Sequence, residues 1–229
     1  MQIDTTKDCE WLHKTLASSR LIKYPFKLEH LPHNGIYFFY EDGEYNAHNN
    51  KPRIVRVGTH KNNNFRSRIN EHYLLDGINN SPAPKDRSIF RKNIGRALIN
   101  KMNTDYLEIW DIDFTNKINR MKFKHKRDIA FEKKIEQMIT KRLRDNFSFR
   151  YIEIADQEQR MGKKGLESRL IGTLSGCGLC KSSSKWIGRS SPKEAIQESG
   201  LWLIQHLKSE GIRKTDKDLI LRLITDRRI

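Results

Sequence analysis

Gly35-Ile36-Tyr37-Phe38-Phe39-Tyr40, then Arg53-Ile54-Val55-Arg56-Val57-Gly58, then Arg68-Ile69-Asn70-Glu71-His72 are the stretches on which the fold turns. The first follows a Pro32-His33-Asn34-Gly35 turn and is aromatic and β-branched, the composition of a strand. The second is a strand of the same kind that closes on a glycine. Between them, Glu41 to Pro52 is polar and turn-rich, so the two strands are expected to pair as a long hairpin. Past Gly58 the polar loop Thr59-His60-Lys61-Asn62-Asn63-Asn64 leads into a helix predicted over 65–75. There Arg68 and His72 stand at i and i+4 and share one face.

Outward from this hairpin, Trp11, Leu12, Leu16 and Ala17 predict a short amphipathic helix over 10–18. On the other side, Ser81-Pro82-Ala83-Pro84 breaks the chain, and Phe90, Ile94, Ala97 and Leu98 then mark a second helix. Residues 105–114 read as strand. A helix over 128–144 carries Phe131, Ile135, Met138 and Ile139 on one stripe and turns its basic residues outward. Residues 147–154 read as strand, 164–174 as a short helix, and the Gly/Ser-rich 177–192 as loop. Residues 201–207 read as a last strand or helix, ahead of a charged C-terminal helix. Strands and helices mix without βαβ alternation, which predicts an α+β fold. The long hairpin and the helices around it give a small antiparallel sheet flanked by helices as the expected core. The division expected is an N-terminal helical arm (1–30), a core (31–176) and a loop with a C-terminal extension (177–229).

The chain has 229 residues, with 44 Lys+Arg against 28 Asp+Glu, a formal net charge of +16 and a pI near 9.8. An apolar share of 36% with ten Phe, seven Tyr and four Trp argues against disorder. No apolar run is long enough to span a bilayer, and MQIDTTKDCEWLHK lacks the apolar stretch of a signal peptide, so a cytoplasmic protein is expected. Half of the net charge falls in Lys117–Arg150, where twelve Lys/Arg stand against four acids. Such clustering favours a phosphate-facing surface, and nucleic acid is the expected partner. Three cysteines, Cys9, Cys177 and Cys180, are too few for a disulfide scaffold. Cys177-Gly178-Leu179-Cys180 has the spacing of half a zinc site. With no second such pair, and Cys9 and His206 distant in sequence, it reads as a loop with two incidental thiols.

Taken together, Gly35-Ile36-Tyr37, Arg56-Val57-Gly58 and the helix-borne Arg68 and His72 resemble the GIY-YIG nucleases, most closely the stand-alone, restriction-endonuclease-like branch. Two departures stand out. Arg56 occupies the place of the family's second tyrosine, and the family's late asparagine has no counterpart among Gly178, Leu179, Cys180 and Lys181. The resemblance implies a metal-dependent endonuclease acting on double-stranded DNA, with no membrane role and as a homodimer cutting both strands. It sets Tyr37 beside the attacking water and phosphate, and a phenol with an unperturbed pKa near ~10 needs a neighbouring cation to act as a base. Arg56 supplies that cation if it shares the sheet face of Tyr37.

Arg68 would then grip the scissile phosphate, His60 reach the leaving group or a metal-bound water, and His72 orient Tyr37 or the water. Glu167, in Leu166-Glu167-Ser168-Arg169-Leu170-Ile171, would bind one Mg²⁺ or Mn²⁺ per active site, with Glu132 and Glu136 as alternatives. Lys61, Arg66, Arg91, Lys124, Lys126 and Arg127 are the DNA contacts expected from the loop and the basic insertions at 81–96 and 117–150. The competing reading is a catalytically inactive binding module on the same fold, favoured by Arg56 and the missing asparagine.

Overall fold

Alternation along Ile36–Tyr40 divides the packing in two: Ile36, Phe38 and Tyr40 bury into one cluster, Tyr37 and Phe39 into the other. The computed structural model describes residues 4–75 and 84–225. Strands β1 (Ile22–Lys23), β2 (Ile36–Tyr45), β3 (Pro52–Gly58) and β4 (Phe147–Ile152) form one antiparallel sheet in the order β1-β4-β2-β3. The helices described are α1 (Thr6–Leu16), α2 (Phe65–Tyr73), α3 (Pro84–Arg87), α4 (Ile89–Lys101), α5 (Leu107–Asp111), α6 (Lys117–Phe123), α7 (Ile129–Asn146), α8 (Gln157–Arg160), α9 (Leu166–Ser175), α10 (Glu194–Ser199) and α11 (Lys214–Thr225). The fold is α+β, as the sequence predicts. No described helix is long and apolar enough to cross a membrane. The Ser81–Ala83 part of the expected chain break lies outside the described residues.

On one face, β2 packs against α2, α4 and α7 through Phe65, Ile69, Tyr73, Phe90, Ile94, Ile135, Ile139 and Leu143. On the other, α1, α9 and α11 contribute Leu12, Leu16, Leu166, Leu170, Ile220 and Ile224. The long hairpin of β2 and β3 forms as expected, with one irregularity that matters. Phe39 pairs with Arg56 but Tyr40 pairs with Ile54, so Val55 is an extra residue, a β-bulge. A strict period of two would send Arg56 and Val55 to opposite faces. Instead Val55 joins the Tyr37 cluster, and the Arg56 guanidinium lies 4.7 Å over the Phe90 ring on that same side.

Two sequence expectations are corrected. Residues 105–114 are not a strand but contain α5. The indole of Trp110 lies where a Cβ on Gly95 of α4 would be, donates to Lys92 O (3.1 Å), and its carbonyl accepts from the buried Lys85 ammonium (2.8 Å). Packing against a helix outweighs the β-propensity of Ile109 and Ile112. Residues 201–207 hold no regular element. Trp202 N donates to Val55 O at 2.8 Å, so this segment lies along β3, the edge strand, and covers part of an otherwise unpaired edge. Beneath it Glu41, 2% exposed, accepts from the indole N–H groups of Trp186 and Trp202 and from Arg142.

Candidate active site

Tyr37 points from the centre of β2 into the α2–α4 face and is 1% exposed. Opposite it in the hairpin register stands Gly58. A Cβ there would lie 2.4 Å from the Tyr37 Cζ and hydroxyl, so the closing glycine of the second strand is the space into which the tyrosine ring folds. The Tyr37 hydroxyl meets His72 Nε2 at 3.1 Å, and His72 Nδ1 meets Ser88 Oγ at 2.8 Å. Burial drives the His72 imidazole well below its ordinary pKa, and the cations of Arg56, Arg68 and Arg91 push the same way. His72 is therefore a neutral ring wedged between Tyr37 and the N-cap serine of α4.

Two cations flank the phenol. Arg56 donates to Trp202 O (2.7 Å) and stands beside Tyr37. Burial lowers its pKa, against the pull of the Tyr37 oxygen, but a guanidinium remains charged throughout the working range. Arg68, on α2, pairs with Glu71 at 2.6 Å and donates to Arg87 O at 2.8 Å. Burial opposes its charge, yet Tyr37 and Glu71 outweigh that and raise its pKa. Arg68 and Glu71 are about one-third exposed (32% and 30%) and form a solvent-facing side of the group.

A loop beyond β3 brings in the carboxylate. Thr59 N–H donates to Glu167 Oε1 (3.1 Å), and Thr59 Oγ1 donates to Gly35 O (2.8 Å), tying the starts of β2 and α9 to the end of β3. Burial raises the Glu167 pKa, against Arg56, the Thr59 N–H, Arg68 and Arg160. Arg160, at the end of α8, was not singled out by the sequence, because IADQEQRMGKKG reads as a solvated basic stretch. It is fully buried and donates to Thr59 Oγ1 (2.8 Å), His60 O (2.9 Å) and Asn34 Oδ1 (3.2 Å). Asp156 starts that helix, its side chain accepting from Glu158 N–H and Gln159 N–H. The Nε atoms of Arg56 and Arg160 are buried with no acceptor among the described residues.

His60 is corrected. Its Nε2 takes the Gly35 N–H (3.2 Å) and faces Arg160, while its Nδ1 takes the Asn64 N–H (3.2 Å) beside Lys61 O (3.2 Å). Both ring nitrogens are engaged in holding the loop, and neither is free for a leaving group.

Of the expected DNA contacts, Lys61, Lys124 and Lys126 are exposed. The others are engaged within the fold. Arg91 is fully buried in an ion pair with Glu136 (2.6 Å), Arg66 donates to Leu31 O and Glu29 O, and Arg127 pairs with Glu132 while lying 4.4 Å over the Phe114 ring. The same pairs occupy Glu132 and Glu136, the alternatives to Glu167. The thiols read as incidental are also corrected, since Cys9, Cys177 and Cys180 lie together with His48.

Tyr37, Arg56, Arg68, His72 and Glu167 thus come from β2, β3, α2 and α9 to one place. A family model described as the GIY-YIG domain matches residues 7–226. No curated protein and no solved structure matches the chain. With nearly its whole length matched, the chain belongs to the GIY-YIG family, a family of nuclease domains.

Proposed function

We propose that this GIY-YIG protein is an active, metal-dependent endonuclease that hydrolyses phosphodiester bonds in double-stranded DNA, with Tyr37 as its base. The observation that carries this reading is the pairing of Tyr37 with Arg56. The arginine standing at the second half of the signature is buried on the same face as the phenol and sets a fixed cation beside its oxygen. That arrangement weighs against the inactive-module reading, which took Arg56 as a loss.

With Tyr37 ionised, a neutral His72 donates Nε2–H to the phenolate oxygen while Ser88 Oγ–H donates to Nδ1, and the hydrogen bonds at 3.1 and 2.8 Å serve that state. The phenolate accepts the proton of the attacking water. Arg68, already aimed by Glu71, binds the phosphate oxygens from the solvent side, where guanidinium geometry suits two oxygens. Glu167 would hold Mg²⁺ or Mn²⁺, which when bound supplies Lewis acidity at the phosphate. One carboxylate suits such an ion, which keeps several waters and takes substrate oxygens for the rest of its shell. Thr59 N–H bonds Oε1 and leaves Glu167 its second oxygen.

We read 31–176 as the nuclease core, with 1–30 as its arm and 177–229 as an extension that supplies the Trp202 carbonyl to Arg56. A restriction-like homodimer remains part of the proposal, on the resemblance of the sequence alone. The test is cleavage of plasmid and phage DNA with Mg²⁺, Mn²⁺ or EDTA by the native chain, Tyr37→Phe and Glu167→Ala. Discrete fragments that need the metal and vanish in both variants support the reading. Binding without cleavage under all conditions returns the inactive module.

A further inference from the structure

Outside the Tyr37 site, three segments far apart in sequence bring soft ligands to one point. Cys9 comes from α1, His48 from the β2–β3 turn, and Cys177 and Cys180 from the loop after α9. One ligand atom of each lies within 4.8 Å of every other. The Cys9 and Cys180 sulfurs are 3.9 Å apart, and Cys177 Sγ is 3.6 Å from His48 Nε2. A tetrahedral ion bound at Zn–S of ~2.3 Å and Zn–N of ~2.0 Å requires ligand–ligand edges of roughly 3.5–3.8 Å. Disulfide bonding, with an S–S length of ~2.05 Å, would draw one pair together and leave a thiol and an imidazole unused.

The surroundings are built around these four atoms. Cys180 N–H donates to Cys177 Sγ (3.4 Å) inside the Cys-x-x-Cys loop, and the Ala47 backbone N–H is directed at Cys180. Asn46 folds the hairpin turn by donating to Lys51 O and accepting from His48 N–H (3.1 Å), which fixes where His48 starts. Gly178 N–H bonds Thr6 Oγ1 (3.2 Å), joining that loop to the start of α1. His13, the other nearby imidazole, is spoken for. Its Nε2 accepts from Ile54 N–H (3.1 Å), so Nδ1 carries the proton and donates to Cys9 O (2.9 Å).

We propose that Cys9, His48, Cys177 and Cys180 bind one zinc ion in a closed structural site, separate from the hard-cation site at Glu167. Thiolate and imidazole ligands select zinc over Mg²⁺ or Ca²⁺, and four protein ligands leave no position for a reacting water. Each thiol gives up its proton on binding, so occupancy rises with pH. The ion fastens the end of α9 opposite Glu167 to the hairpin that carries Tyr37 and Arg56, and fastens both to α1.

The experiment uses the full chain purified without chelator from zinc-supplemented cells. Elemental analysis is expected to find one zinc per chain, kept through dialysis against excess Mg²⁺ and released when a mercurial titrates the thiols. Cys180→Ser is expected to lose the metal. His48→Ala, at a half-exposed turn and with all three thiols intact, is expected to weaken zinc binding by more than the roughly 10–100-fold that an outer partner costs. Glu167→Gln is expected to keep its zinc in full. Should the cysteine variant fail to fold, Co²⁺ exchange into the native chain decides, because three sulfurs in a tetrahedral cobalt spectrum can come only from the three cysteines this chain has. Failure to retain zinc after reconstitution, retention unchanged in His48→Ala, or a cobalt spectrum without sulfur charge transfer would each overturn the proposal. The outcome is independent of whether the chain cuts DNA.

Discussion

Tyr37 is the residue on which the proposed chemistry depends, and its surroundings make separable demands. Removing only the oxygen, in Tyr37→Phe, is expected to lower single-turnover cleavage by about a hundredfold or more, within the ~10²–10⁴ range for a positioned base. The fold is expected to be kept at a cost of about 1–3 kcal/mol, because His72 Nε2 loses its buried partner. Adding a methyl opposite it, in Gly58→Ala, sets a Cβ 2.4 Å from the ring and is expected to cost about 1–3 kcal/mol by denaturant unfolding, with loss of activity as the ring is displaced. His72 makes a third prediction, about pH. Its folded pKa lies well below 6.5 because the ring is buried among three arginines, whereas the unfolded chain takes up that proton near 6.5. Below that value the unfolded state holds the extra proton. The stability present above pH 6.5 is therefore lost progressively as pH falls toward the folded value. Thermal melts between pH 7 and about 5 should show this slope in the native chain and a flatter one in His72→Gln. An equal slope in both would mean that other groups govern the acid limb.

Among the elements, the packing of α4 on α7 is set by a buried charge pair, Arg91 with Glu136, with Thr140 Oγ1 and the His72 carbonyl completing the guanidinium. Breaking such a pair by Arg91→Met strands the carboxylate and is expected to cost about 3–5 kcal/mol by chemical unfolding. The change should act on folding, with no separate effect on the salt dependence of DNA binding. What the sequence made legible follows from how local its signals are. The alternation of Ile36–Tyr40 and the i, i+4 spacing of Arg68 and His72 are written in neighbouring residues, and both elements formed as expected. The bulge at Val55 is a matter of cross-strand register, which no single strand displays. Arg91 and Arg66 look like any basic residue until partners distant in sequence are known. The Cys-x-x-Cys loop looked like half a site because its other half lies in α1 and in the hairpin turn.

For the whole molecule, the +16 charge has to be divided between residues used inside the fold and those left to solvent. Lys124 and Lys126 are on the exposed side of that division, near Lys117, Arg120 and Lys122, which are exposed as well. Replacing Lys124 and Lys126 by alanine is expected to leave the melting temperature in place. It should make the slope of log affinity against log salt shallower by roughly one for each phosphate that is no longer neutralised. An unaltered slope would send the DNA to another face. The segment around Trp202 bears on a different question, the timing of synthesis. It covers the β3 edge and gives Arg56 its acceptor, yet it follows even the Glu167 helix along the chain. Until the polypeptide past Trp202 has left the ribosome, Arg56 lacks this acceptor and the β3 edge lacks this cover, so the surroundings of Tyr37 are completed only after the Glu167 helix has been made.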